Sequence, residues 1–218
     1  MLIRQIEFSK RVARGTHRRF HASLTKLALR QRGLADAYKI PTFTVREELE
    51  MLFELAHECR PGARVLEIGS YLGASTCFLA AGLRDPRASI VCVDTWQNQT
   101  MPGGIQDTFA VFEKNVKAIR HQLTLIRKSS GDVTPGELGG QFDLVFLDGD
   151  HSYKQTRADF ELVSSLVAPG GMLAFHDSLF YEGVSRVIGE ALASAGWQIG
   201  GIVRNLTWLK RAQFAHQS

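Results

Sequence analysis

From residue 41 onward, short apolar runs alternate with segments of helical periodicity. RVLEIG (64–69), ASIVCVD (88–94), LTLIRK (123–128), FDLVFLD (142–148), GMLAFHD (171–177), WQIGGIV (197–203) and LTWLKR (206–211) read as seven strands. Between them the pattern predicts helices at about 75–83, 107–121, 154–166 and 183–195. The second of these places Phe109, Phe112, Val116 and Ile119 at helical spacing. APGG (168–171) is expected to turn into the fifth strand, and Arg204-Asn205 to join the last two as a hairpin. Strands interleaved with helices of this length imply βαβ units and an α/β fold, a doubly wound sheet with helices on both faces. No helix separates the last two strands, so a mostly parallel seven-stranded sheet with an antiparallel last strand is expected.

A chain of 218 residues with 44% hydrophobic and 22% charged content suits one soluble globular domain. No apolar run approaches the ~18 residues of a membrane span. The start, MLIRQIEFSKRVARG, lacks the apolar core of a secretory signal, so a cytoplasmic protein is expected. Cys59, Cys77 and Cys92 are odd in number and widely spaced, which argues against a disulfide framework or a structural zinc site. The net charge of +4 conceals an asymmetry: residues 1–40 carry ten Lys/Arg against Glu7 and Asp36, leaving a mildly acidic body. Residues 1–43 are therefore set apart as a basic helical arm or cap, and 44–218 as the sheet domain. Phe20, Leu24 and Leu27 share one face of a short amphipathic helix in that arm. A cap over the substrate, a homo-oligomer contact, an anionic membrane surface and nucleic acid are the partners this helix suits.

The unusual polar residues gather at strand ends, where open α/β sheets bind ligands. The first strand runs into EIGSYLGAST (67–76), whose Gly69 and Gly73 let the backbone turn tightly beside a helix N-terminus. Tyr71 stands where a dinucleotide fingerprint has its middle glycine, which disfavours NAD or FAD and with them a nucleotide-cofactor oxidoreductase. Asp94 closes the second strand and is placed to accept hydrogen bonds from ribose hydroxyls. SSGD (129–132) follows the third strand and suits an adenine edge. FLDGDHSY (146–153) brings Asp148, Asp150 and His151 to the end of the fourth, and the fifth ends in His176 and Asp177.

This layout resembles the class I S-adenosylmethionine-dependent methyltransferases, with their Rossmann-like fold, over about residues 44–211. VLEIGSYLGAST is similar to the first motif of the catechol-type, metal-dependent O-methyltransferases. FLDGDHSY together with LVAPGGMLAFHDS resembles the macrocin, mycinamicin and cephalosporin-type relatives that methylate sugars and antibiotic intermediates. The resemblance implies a cofactor site of Glu67, Gly69, Ser70, Tyr71, Gly73 and Ser75 around the methionine and ribose. Asp94 would take the ribose, and Ser130 and Gly131 the adenine, with Asp132 fixing their loop; Asp148 would lie alongside. Trp96, in the polar insert 96–107, is expected against cofactor or substrate. The chain lacks the N-P-P-[YF]-type motif of base-amine methyltransferases, so nucleic acid is disfavoured and a small hydroxylated molecule, a sugar or glycosylated natural product, is the expected acceptor.

A hydroxyl is a poor nucleophile until its proton leaves, and either a general base or a cation achieves that. His151 is the candidate base, with Asp148 beside it. Asp148, His176 and Asp177 are the candidate ligands of Mg²⁺ or another divalent cation. His176 stands where the metal-dependent relatives carry a carboxylate, and imidazole is a poor Mg²⁺ ligand. Three outcomes follow: Asp148 and Asp177 hold the ion without it, the site takes a softer metal, or no metal binds. Asp150 reads as a turn residue. A cofactor-binding protein without catalysis is the remaining alternative.

Overall fold

The computed structural model describes residues 22–98 and 104–213. A helix at 22–31 (α1) precedes α2 (Arg46–Glu58), and the alternation expected from the sequence follows. The order is β1 (Arg64–Ile68), α3 (Ala74–Gly82), β2 (Ser89–Val93), α4 (Phe109–Asn115), β3 (Leu123–Ile126), α5 (Pro135–Leu138), β4 (Phe142–Leu147), α6 (Tyr153–Ser164), β5 (Val167–Phe175), α7 (Glu182–Ala193), β6 (Trp197–Val203) and β7 (Leu206–Arg211). The seven strands form one sheet in the order β3-β2-β1-β4-β5-β7-β6. β1 to β5 run parallel, and β7 inserts antiparallel between β5 and β6. The strand order reverses between β1 and β4, so the crevice beyond their carboxyl ends is the place for a ligand.

Alternation along each strand divides the core. Val65 of β1 and Leu144 and Phe146 of β4 face α2 and α3; Leu66, Ile68, Val145 and Leu147 face α6 and α7. Because both faces are covered, the buried positions of the parallel strands are apolar, and Glu67 is the one charged residue buried within a described strand, on the α3 side.

Three local expectations are corrected. The helix expected over 107–121 ends at Asn115 and gives way to a 3₁₀ turn at Lys117–Gln122. There the Asn115 side-chain amide donates to the carbonyl of Leu72, tying the helix end to the loop after β1. The APGG turn lies within β5, where Gly170 at φ +77 and a register shift against β4 absorb it as an irregularity in the ladder. On α1, Leu24 and Leu27 are exposed; Thr25 and Leu29 face inward instead, with Leu29, Leu34 and Ala37 completing the core beside α2. Phe20 lies outside the described residues. No helix among the described residues is long and apolar enough to cross a membrane.

Gly69 leaves β1 at φ +89, and a Cβ there would sit 2.1 Å from the carbonyl oxygen of Asp148. Both the backbone conformation and the space require glycine. Gly69→Ala is expected to lower stability by at least about 2 kcal/mol, measured by urea unfolding, because backbone rather than a side chain must move.

Candidate active site

The loop after β1 is held from beneath by a buried carboxylate. Glu67 accepts from the hydroxyls of Ser70 and Thr76 on one oxygen (2.6 and 2.5 Å) and of Ser75 on the other (2.6 Å). Burial pushes its pKa up, and the three hydroxyls oppose that by hydrogen-bonding the charged form. Gly73, at φ +86, ends the loop and caps α3, turning the first N–H groups of that helix toward the crevice. Asp94, at the end of β2, holds the loop from the side. Its Oδ2 accepts the backbone N–H of Ser70 and of Tyr71, both at 2.8 Å, and its Oδ1 accepts that of Trp96 at 2.7 Å.

A cleft of about 660 Å³ opens above these strand ends. Gly69, Ser70, Tyr71, Ser75, Asp94 and Ser130 line it, and so do Asp148, whose backbone adjoins Gly69, and His151, His176 and Asp177. Glu67 and Gly73 lie behind the wall. Gly131 and Asp132 are exposed in the 3₁₀ turn Ser130–Asp132, beside the cleft rather than on it. Trp96 is the clear departure. With φ +52 its side chain turns inward, fully buried, against Phe109 and Phe112 at ring distances of 5.1 and 4.8 Å. It packs into the core and does not line the cleft, where it was expected.

Beyond the ends of β4 and β5 four side chains converge. Asp148 leaves β4, and its Oδ1 lies 3.5 Å from His151 Nε2 and 2.9 Å from His176 Nδ1. His151 stacks on Tyr181 at 4.7 Å, with its Nδ1 3.8 Å from Asp177 Oδ2. Asp177 itself has φ +52, a backbone conformation aspartate tolerates and one that aims its carboxylate back at the two imidazoles. Asp150 takes the N–H of Ser152, which in turn caps α6, so Asp150 is a turn residue as its position suggested.

The residue that sequence reasoning missed is Glu48, on the first turn of α2. Only 2% exposed, it sets Oε2 3.1 Å from His176 Nε2 and 2.9 Å from the donating N–H of Val45, while Oε1 accepts the N–H of Asn205. An acid at the third position of a helix reads locally as an N-terminal cap, which it is. Nothing in its spacing points to a histidine 128 residues away. Burial alone would depress His176, but Asp148 beside it, with Glu48 and Asp177, raises it to about 10. Burial likewise pushes Asp148 up, and the two imidazoles more than reverse this, leaving its pKa lowered.

Nε2 of His151 and Nδ1 of His176 are buried without a hydrogen-bond partner among the described residues. With Asp148 they offer three ligand atoms within 4.8 Å of one another. The cluster therefore fits a divalent cation, though Asp177, expected as a ligand, stands outside the converging three.

The glycine turn after β1, the acid ending β2 and the polar loop after β3 stand where the resemblance to class I S-adenosylmethionine-dependent methyltransferases places them. The model of the family described as "Methyltransferase domain" matches residues 66–178, and the chain belongs to that family. Over 130 residues it is 32% identical to the uncharacterised protein y4gI of Sinorhizobium fredii, covering 57% of this chain and 14% of that protein. It is 27% identical over 130 residues to the O-methyltransferase hkm8 of Aspergillus hancockii, covering 60% of this chain and 47% of that one. The matched segment thus spans less than half of either relative. Among solved structures, an O-methyltransferase from Bacillus cereus in complex with SAH has the same fold, with a TM-score of 0.64 at 18% identity over 87% of this chain and 90% of that chain.

Because the folded pKa of His176 lies above the ordinary imidazole value of about 6.5, the folded chain holds a proton there that the unfolded chain releases. That contribution is complete below pH ~6.5 and is lost as pH rises toward about 10. Thermal melts in the presence of a chelator should show the midpoint falling across this window, with a shallower fall for His176→Gln.

Proposed function

We propose that the chain is an S-adenosylmethionine-dependent O-methyltransferase acting on a hydroxyl of a small molecule, a sugar or a glycosylated natural product. The observation that carries this reading is that Asp94 and His151 line one cleft. A site for an adenosyl group and a site for removing a proton therefore open onto each other.

When bound, the cofactor supplies a methyl group already activated on a sulfonium, so the chain's task is alignment and deprotonation. Alignment of the two reactants contributes roughly 7–11 kcal/mol in well-oriented systems. Asp94 keeps one acceptor position on Oδ1 once its three backbone N–H groups are counted, enough for one ribose hydroxyl. Ser130 is fixed for the adenine edge by Gln155, whose amide donates to it at 3.0 Å and to the buried Asp159 at 2.9 Å. At the acceptor end, Phe43, Tyr71 and Tyr181 flank the opening, and the hydroxyl meets His151 between them.

The lone pair of His151 Nε2 serves deprotonation in either of two ways. It takes the acceptor's proton directly, with Asp177 and Asp148 steadying the ring, or it helps hold a cation. A divalent cation in this cluster would lower the pKa of the acceptor hydroxyl. The dinucleotide alternative is disfavoured by the loop itself: Tyr71, at φ +44, places a side chain where a pyrophosphate needs close backbone approach.

His151→Ala should lower methyl transfer by roughly 10²–10⁴-fold while SAH affinity by calorimetry stays within about twofold. Near-normal turnover would remove His151 from the chemistry. Asp94→Asn should instead weaken SAH binding, and if neither SAH nor S-adenosylmethionine shifts the melting of the unaltered chain, the methyltransferase reading itself fails. Firm cofactor binding with no transfer across a broad panel of hydroxylated acceptors would favour a non-catalytic role.

A further inference from the structure

The acceptor end of the cleft contains more unsatisfied chemistry than proton removal requires. His176 is 3% exposed, and its Nδ1 sits 2.9 Å from Asp148 Oδ1 without the alignment of a hydrogen bond. His151 Nε2, 3.5 Å from the same oxygen, is unpartnered in the same sense among the described residues. Two buried nitrogens and one carboxylate oxygen thus approach one another as charge contacts with no aligned hydrogen bond between them. Ligands around a single transition-metal ion, with bonds of about 2.0–2.2 Å, stand roughly 3.0–3.5 Å apart and are likewise not hydrogen-bonded to each other.

The far side of each imidazole points the same way. Glu48 Oε2 lies 3.1 Å from His176 Nε2, and Asp177 Oδ2 lies 3.8 Å from His151 Nδ1. The Glu48 carboxylate holds a proton on His176 Nε2, so a metal that displaces the proton on Nδ1 meets the lone pair facing Asp148; Asp177, at 3.8 Å, acts on His151 by charge rather than by a hydrogen bond. Charge agrees with geometry: Asp148, Asp177 and Glu48 bring three carboxylates to two imidazoles in a largely buried pocket. An uncompensated group of that kind calls for a cation.

We propose that Asp148, His151 and His176 bind one first-row transition-metal dication, of the Zn²⁺ class, in preference to Mg²⁺, and that Glu48 is the positioning residue that holds the proton on His176 Nε2. Two nitrogens among three protein ligands suit such an ion, whereas Mg²⁺ demands oxygen. Asp177, with Oδ1 3.7 Å from His176 Nδ1 and Oδ2 3.8 Å from His151 Nδ1, then lies just outside the ligand set and acts on both imidazoles by charge, and His151 Nε2 is a ligand rather than the base. The catalytic purpose of the ion rests on the methyl-transfer reading; the binding site itself stands on the convergence of atoms.

The test is made on the full chain after dialysis against a chelator. Zn²⁺, Mn²⁺ and Mg²⁺ are titrated separately by calorimetry, and Co²⁺ by its visible absorption, which reports nitrogen coordination directly. One equivalent of Zn²⁺ is expected, bound at least about 100-fold more tightly than Mg²⁺, with a Co²⁺ spectrum that Zn²⁺ abolishes. His151→Ala and His176→Asn should each abolish stoichiometric binding. Glu48→Gln should weaken it by about 10–100-fold, and His176→Asp should narrow the preference over Mg²⁺. Near-ultraviolet circular dichroism identifies any variant that fails to fold, and the unaltered chain alone decides the question if all of them do.

The proposal is overturned if no ion binds stoichiometrically, if Mg²⁺ binds as tightly as Zn²⁺, or if Zn²⁺ binding survives in a folded His151→Ala/His176→Asn double variant. SAH binding measured on the same chelated sample separates this failure from failure of the methyltransferase reading. A chelated chain that binds SAH and transfers methyl groups with no metal added retires the cation and leaves His151 as the base. A chain that binds Zn²⁺ as expected but never binds SAH retires the methyltransferase reading and keeps the metal site.

Discussion

The backbone of Gly69 lies so close to the carbonyl of Asp148 that no side chain fits between them. This contact at the reversal point of the strand order holds the loop after β1 against the end of β4, and the remaining features of the cleft are arranged around it. It sets the cofactor loop and the Asp148 carboxylate on adjacent lips of one opening. A wider separation would leave two unrelated pockets; a side chain at position 69 would push the lips apart.

Three carboxylates frame the cleft, Glu67 and Glu48 buried and Asp148 half-buried, and each is satisfied differently. Glu67 is met by three hydroxyls from its own loop and helix, so its compensation is local and goes with the fold of residues 67–76. Glu48 is met by the N–H of Val45 at the start of its own helix, by the N–H of Asn205 in the turn before β7, and by the imidazole that follows β5. Asp148 has only the two imidazoles and a share of the cleft. The first arrangement builds a rigid cradle. The last leaves charge and lone pairs directed at open space, which is where chemistry on a bound molecule takes place.

Glu48 also gives α2 a second role. The helix packs its apolar face, including Leu49, Leu52 and Phe53, on α3, as an amphipathic helix does. Its N-terminal turn meanwhile reaches across the sheet edge to His176 and Asn205. The acceptor end of the cleft is therefore braced by a helix that precedes the whole parallel sheet in the chain, and Phe43, just before that helix, stands at the opening. Nearby residues of the strands alone do not complete the site.

Most of the architecture was legible because its causes are local. Strand and helix periods show in runs of five to fifteen residues, and polar residues at strand ends are visible as interruptions of apolar runs. That sufficed for the sheet, the cleft edge, and Glu67, Asp94, Asp148, His151, His176 and Asp177 as the residues to examine. Only the tertiary structure decided which way side chains turn and what meets them. Trp96 points into the core because Phe109 and Phe112 receive its ring there, with a positive φ that composition does not reveal. Leu24 and Leu27 face outward because the body offers its packing surface to Leu29 instead. Glu48 meets His176 because three-dimensional closure joins residues 128 apart. Periodicity is a property of neighbours along the chain, whereas partnership belongs to neighbours in space, and a single sequence records only the first directly.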